Sequence, residues 1–257
     1  MFRWDLVWHF LFQDPNLYFL RAGWLTLWVS VVAQAVGVIL GLFLALMRMS
    51  RFRFLSAPAG AYIWFFRGSP LLVQVLLLWD GLPRLFPGLL LSAYACVLVA
   101  FSLNEGAYMA EIIRAGITSV DPGQMEAAKS LGMRYTLAMR RIILPQAARV
   151  IVPPLGNEFN NMLKTTSIAS VIGLLELTGS AEVYGSQDFI IFELLVVATF
   201  YYLFLTTMWG YFQSWIENRL NPDRATKTVL VDRKEWAART FGIGSVGGSG
   251  GTLTSGR

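Results

Sequence analysis

The stretch from Ala22 to Met47 carries no charged residue, and this constrains the chain more than any other feature. A membrane-spanning helix needs about 20 consecutive apolar residues, and this run is longer. A secretory signal has a shorter apolar core followed by a small-residue cleavage site, so the run reads as a retained span. The whole chain is 55% hydrophobic and only 14% charged. Soluble domains carry roughly a quarter charged residues, so the bilayer is the expected solvent.

Five spans fit the pattern, over about 22–47, 57–79, 90–113, 149–168 and 190–215. The second is interrupted by Arg67-Gly68-Ser69-Pro70, and the fourth is only weakly apolar. Residues 1–21 are rich in aromatics (Phe2, Trp4, Trp8, Phe10, Phe12, Tyr18 and Phe19) and suit a helix lying at the membrane interface. Residues 22–220 then form the membrane domain, and 221–257 form a tail that is Gly- and Ser-rich from about 241. That composition cannot bury a core and predicts disorder.

Lys and Arg in short loops orient a membrane chain. Arg48, Arg51 and Arg53 follow the first span; Arg114, Lys129, Arg134, Arg140, Arg141 and Arg149 lie between the third and fourth; Arg219, Arg224 and Lys227 follow the fifth. The 80–89 loop holds only Arg84, and 169–189 holds neither Lys nor Arg. An outside N-terminus, a cytoplasmic C-terminus and an odd number of spans agree. The net charge of +5 therefore reads as topology rather than nucleic-acid binding. One cysteine (Cys96) and one histidine (His9) are too few for a metal site. No Gly-rich phosphate loop is present, so the chain has no visible means of hydrolysing a nucleotide.

The third and fourth spans are separated by a segment that looks soluble. Asp121-Pro122-Gly123-Gln124 is a helix start: a capping carboxylate, a proline at the first helical position, and an amide three residues on. A short helix is expected through Leu131, ended or bent by Gly132. A second is expected from Arg134 to Leu144, broken by Pro145 before the fourth span. From helix pattern alone this is an amphipathic connector or a docking surface.

The spacing within it adds a resemblance. Glu126-Ala127-Ala128, then Gly132, then Ile142, Leu144 and Pro145 resembles the EAA motif of ABC importer permeases. The segments Phe66 to Gln74 (FRGSPLLVQ), Glu111 to Ile117 (EIIRAGI) and Leu163 to Ile168 (LKTTSI) resemble the histidine/arginine/glutamine branch. The likeness covers roughly residues 20–220, with Ser69 and Thr165 departing from the branch's usual Thr and acidic or amide residues. It implies an all-α type I importer permease fold with five core spans. It also implies docking of the 121–145 loop in a cleft of a separate ATPase. Two such ATP-binding cassette subunits would bind ATP and magnesium. A second permease subunit, identical or related, and an extracytoplasmic solute-binding protein would complete the assembly in a bacterial cytoplasmic membrane. In the docking motif Asp121 and Glu126 open the helix, Ala127 and Ala128 permit close approach, Gly132 permits the turn, and Ile142, Leu144 and Pro145 close it.

The fourth span is informative without any family. At about 100° per residue, Asn157, Glu158, Asn160, Asn161, Lys164 and Thr165 share one arc. Leu155, Phe159, Met162, Leu163 and Thr166 share the other. Ionisable groups within a membrane face a bundle interior or a water-filled cavity. With a rise of about 1.5 Å per residue, Arg67, Glu105 and Glu158 fall very roughly 12–15 Å from their cytoplasmic ends. That is near the middle of a hydrocarbon core about 30 Å thick, where transport sites sit. The plain alternative is a structural ion pair, Arg67 against Glu105 or Glu158, or Arg67 satisfying carbonyls freed by the Gly68–Pro70 break. As pathway lining, two carboxylates would suit an ammonium and Arg67 a carboxylate, which together describe an amino acid. Gln74 and Lys164 lie nearer the outer side and could touch solute or gate. Tyr108 and Ser102 share a face with Glu105, with core packing as the alternative. Glu193 is expected at the interface, and Glu111 with Arg114 as an i,i+3 pair. An ion-coupled secondary transporter driven through Glu105 and Glu158 is the competing function. A bilayer enzyme lacks a catalytic constellation, and the punctuated loop argues against a channel-like module.

Overall fold

The computed structural model describes residues 3–14 and 17–220; the tail at 221–257, including its expected disorder, lies outside them. The described residues are helical almost throughout. α1 (Trp4–Phe12) is followed by α2 (Tyr18–Arg48), α3 (Arg53–Gly68), α4 (Leu71–Leu76), α5 (Leu82–Leu85) and α6 (Ala93–Thr118). Then come α7 (Pro122–Ser130), α8 (Tyr135–Ala138), α9 (Leu144–Thr165), α10 (Leu177–Gln187) and α11 (Ile191–Leu220). α2, α6 and α11 are each long and apolar enough to cross a membrane. α3 and the run Leu71–Leu85 pass together as one span bent by 104°. α9 occupies the expected fourth span but is not among these apolar helices. Arg149, Glu158, Lys164 and three asparagines make it too polar to be one of them.

α2 and α6 form the centre. They approach through small residues, as helices do when no water is present to drive association. A Cβ on Gly41 would stand 2.4 Å from the Met109 Cβ, and one on Gly37 2.6 Å from the Glu105 Cγ. The core around this pair includes Val29, Ala33, Cys96, Ala100 and Phe101. Cys96 is a buried free thiol.

The bend in the second span has a defined cause. Pro70 cannot donate to a continuing helix, and Ser69 is extended at φ −109°. Gln74 Nε2 donates to the carbonyls of Phe66 (3.0 Å) and Ser69 (3.1 Å), and its Oε1 accepts from Asn104 Nδ2 (3.2 Å). Asn104 also donates to Phe66 O (2.9 Å). The exposed carbonyls are thus met by two amides, and the role offered to Arg67 falls to Gln74 and Asn104. α9 is held to α11 by the Trp209 indole donating to Gly156 O (2.8 Å).

At the other end, α1 presents Trp4, Trp8 and Phe12 outward. Val7 is buried in a cluster with Phe19, Leu177 and Leu194. Glu193, expected at the membrane interface, is packed inside the chain against the start of α1. It is buried, and its Oε1 accepts the Arg3 backbone N–H (3.2 Å). Glu176 is fully buried, caps α10 through the Gly179 amide (2.8 Å) and accepts the Tyr202 hydroxyl (2.5 Å).

Candidate functional site

A cavity of about 660 Å³ lies between α6 and α9, a size typical of small-molecule sites. Of the residues expected along a pathway, Glu105, Tyr108, Glu158, Asn161, Lys164 and Thr165 line it. Leu71, Asn104, Met162, Ser167 and Ile168 complete the wall. α9 supplies most of the lining because its periodicity sends Asn161 and Lys164 outward while Phe159, Met162 and Leu163 are buried. Glu105 is buried close against Gly37, and its Oε1 has no hydrogen-bond partner. A carboxylate oxygen hidden without a partner is costly, so this cavity is built with unmet polar capacity.

The remaining expected residues lie elsewhere. The Arg67 guanidinium sits over the Tyr108 ring, 5.3 Å from its centroid, beside the cavity rather than on its wall. The ion pairs among the described residues are Arg3–Asp5 (3.3 Å) and Arg114–Glu111 (2.8 Å), so Arg67 does not pin the helices through Glu105 or Glu158. Gln74 is committed to the span break. Ser102 is buried in the helix packing. Asn157 faces α11, where its Oδ1 accepts from Gln213 Nε2 (3.2 Å). Asn104 and Ser167 are the polar wall residues that sequence reasoning passed over, and Asn104 is the one on α6. Its signal was its place beside Glu105. Among the described residues no cluster of three His, Cys, Asp or Glu could hold a metal ion.

The second site is the loop between α6 and α9. Asp121 caps α7, its Oδ1 accepting the Gly123 amide (2.7 Å), with Pro122 in the first turn. The C-terminus closes in a Schellman motif: Met133 N–H donates to Ala128 O (3.0 Å) and Gly132 N–H to Lys129 O (2.9 Å). Gly132 has φ +77°, a conformation that a residue with a Cβ adopts at a cost of about 1–2 kcal/mol. Pro145 does not break the second helix. α8 runs through a π turn, Met139–Ile143, directly into α9. The wider turn takes Leu144 N–H to Met139 O and admits a proline near the helix start, where its missing N–H is tolerated.

The docking residues divide by exposure. Asp121, Glu126, Ala127, Gly132, Leu144 and Pro145 are exposed. Ala128 is buried within this chain, and Ile142 packs against the cluster of Met109, Ile113, Ile143 and Ala147. Leu131 and Tyr135, 81% and 62% exposed, extend the free surface beside Gly132. The loop is therefore fastened to the inner ends of α6 and α9 on one side and open on the other.

Spans, a polar cavity among them and a capped, partly exposed loop at one end fit a membrane permease subunit. Residues 37–222 match the family described as binding-protein-dependent transport system inner membrane component, and the chain belongs to that family. It is 44% identical over 216 residues to the octopine transport system permease protein OccM of Rhizobium meliloti, covering 81% of this chain and 88% of that one. Identity to the probable amino-acid ABC transporter permease protein YckA of Bacillus subtilis is 37% over 220 residues, covering 84% and 96%. A crystal structure of an amino acid ABC transporter with histidines superposes with a TM-score of 0.74 at 43% identity, covering 79% of this chain and 94% of that one. The MetNI methionine ABC transporter shares the fold alone, with a TM-score of 0.65 at 15% identity and coverage of 81% and 98%. The fold is that of a type I ABC importer permease. The family is a membrane transport component, and an ion-coupled secondary transporter is not favoured.

Proposed function

We propose that this chain is the membrane-spanning subunit of an ATP-driven importer for a polar or charged amino acid, and that the α6–α9 cavity is its substrate pathway. The observation that carries the reading is that Glu105, Glu158 and Lys164 line one cavity, with Arg67 stacked on its Tyr108 wall. An ammonium group is matched by the two carboxylates, and an α-carboxylate by Lys164 or by Arg67 from behind Tyr108. The relatives' names, an octopine transport permease and a probable amino-acid permease, support a solute of the amino acid kind.

The 121–145 loop is the coupling element. Its exposed face, from Glu126 and Ala127 to Gly132, docks a separate ATPase subunit that binds ATP and magnesium. Two such subunits serve two permease chains, and an extracytoplasmic binding protein delivers solute. The loop and C-terminus face the cytoplasm, as the Lys and Arg distribution favours. ATP binding draws the ATPase pair together. Because the loop is fastened to the ends of α6 and α9, its displacement moves the two helices that line the cavity. Access then alternates by a shift between states rather than by any chemistry in this chain.

The test is reconstitution of the chain with the ATPase and binding protein encoded beside it, after a substrate screen on that binding protein. Uptake that requires both proteins and ATP is expected. Uptake that persists without the ATPase, or residues 121–145 labelled from the extracellular side, would overturn the reading.

A further inference from the structure

A second cavity, of about 510 Å³, lies far along the chain from the transport residues, on α2 and α11. Its wall is apolar apart from one guanidinium. Leu20, Trp24 and Leu27 come from α2, Leu17 immediately precedes it, and Tyr201, Phe204 and Leu205 come from α11. It shares no lining residue with the α6–α9 cavity. Both helices are long and apolar enough to cross a membrane, so a groove between them opens on lipid rather than water.

One end of this groove differs from the rest. Arg21 lines it in the first turn of α2. Six residues separate Arg21 from Leu27, so the groove descends roughly 9 Å from the guanidinium into the apolar layer. Trp24 is 67% exposed beside it, and the outward Trp4 and Trp8 of α1 add aromatics of the kind that mark the headgroup level. Among the described residues the Arg21 side chain has no hydrogen-bond or ion-pair partner, whereas Arg3 is paired with Asp5. Asp14 stands near Tyr201 and accepts the Phe19 backbone amide (3.4 Å). Asp14 is not part of the groove wall, so Arg21 is the one charged group lining it.

We infer that this groove is a phospholipid site: an acyl chain lies between α2 and α11, and its phosphate is bound by Arg21. The chemistry is complementary at both ends. A guanidinium forks onto phosphate oxygens, and the leucine and aromatic wall replaces neighbouring acyl chains. The site fixes α2 against α11 on the side of the molecule away from the cavity lining. It concerns lipid alone and stands or falls independently of the transport reading.

The full-length chain is purified in its transporter complex. Its retained lipid is counted by native mass spectrometry with two probes, palmitoyl-oleoyl phosphatidylglycerol and the matching diacylglycerol. The wild-type complex is expected to retain the phospholipid and to discriminate against the diacylglycerol. Arg21→Gln is expected to lower phospholipid retention roughly tenfold, the scale of one lost charge-assisted contact, to the diacylglycerol level. Arg21→Lys should restore part of the preference, and Leu27→Trp, which fills the groove, should lower retention of both probes. Equal retention of the two probes by the wild type, or Arg21→Gln behaving as the wild type, overturns the proposal. So does a disulfide formed between Leu20→Cys and a neighbouring permease chain, which would make the groove a protein interface.

Discussion

The proposed docking loop and the proposed transport cavity are built on opposite principles. In the loop, α7 is held at both ends by local bonds: the Asp121 cap at its start and the two Schellman carbonyl contacts around Gly132 at its close. In the cavity, a buried carboxylate oxygen of Glu105 is left without a partner, as is Asn160 Oδ1 on the neighbouring helix. A lever must transmit force without deforming, so its polar groups are satisfied internally. A binding site must offer polar groups to something else, so its capacity is left open. The same chain therefore spends its hydrogen bonds where geometry matters and withholds them where a solute is to pass.

The sharpest break of this contrast is Gly132→Val. A β-branched residue at φ +77° meets the left-handed penalty in its severest form. Nothing stands within 4 Å of a Cβ placed there, so the loss comes from backbone strain and not from a clash. Association with the ATPase is expected to be abolished while the chain still inserts in the membrane. Co-purification of the ATPase at the wild-type level would remove the loop from the coupling mechanism. Gly132→Asn should fall between the two, since asparagine tolerates this region better.

On the cavity side, Glu158→Gln keeps the shape and removes the charge. Loss of one charge-assisted contact of about 1.5–3 kcal/mol predicts a fall in uptake, and in substrate-stimulated ATP hydrolysis, on the order of tenfold or more. Assembly should be unaffected, because Glu158 has no ion-pair partner to lose among the described residues. Unchanged uptake would sink the pathway assignment, and loss of assembly would make Glu158 structural.

The two regions also differed in how legible they were. The loop could be read because its determinants are local. Asp121, Pro122 and Gly132 each act within a few residues of themselves, and the structure has each in its expected place. The wet face of α9 was legible for the same reason, since periodicity is a property of one helix. What escaped were contacts between elements. Gln74 meets Asn104 across 30 residues, so no local pattern announces the clamp that holds the 104° bend. Glu193 meets the Arg3 amide across 190 residues, a contact that no local pattern announces. Pro145 was misjudged for a subtler reason. Proline normally ends a helix, but a π turn just before it shifts the bonding register and lets α8 continue into α9.

The Gln74 clamp gives a finer test of where satisfaction ends and openness begins. Gln74→Leu removes the donor to Phe66 and Ser69 and the acceptor for Asn104. Each buried polar group left unmet costs about 1–3 kcal/mol. A lower thermal midpoint of the purified complex is expected, with no change in which amino acid is carried. A change in solute preference with unaltered stability would move Gln74 from the hinge to the pathway.

The smallest effect is expected from Asp121→Ala. It removes one capping bond of 2.7 Å at an exposed helix start, worth about 1 kcal/mol. The Schellman closure at the other end of α7 remains, so the helix should fray at Gly123 and Gln124 rather than unfold. Hydrogen exchange should quicken at these two amides, and ATPase affinity should fall a few-fold, with Asp121→Asn close to the wild type. If Asp121→Ala instead matches Gly132→Val, the loop's rigidity does not reside in its C-terminal turn. The coupling surface would then depend on the entry of the chain from α6 as much as on its exit toward α9.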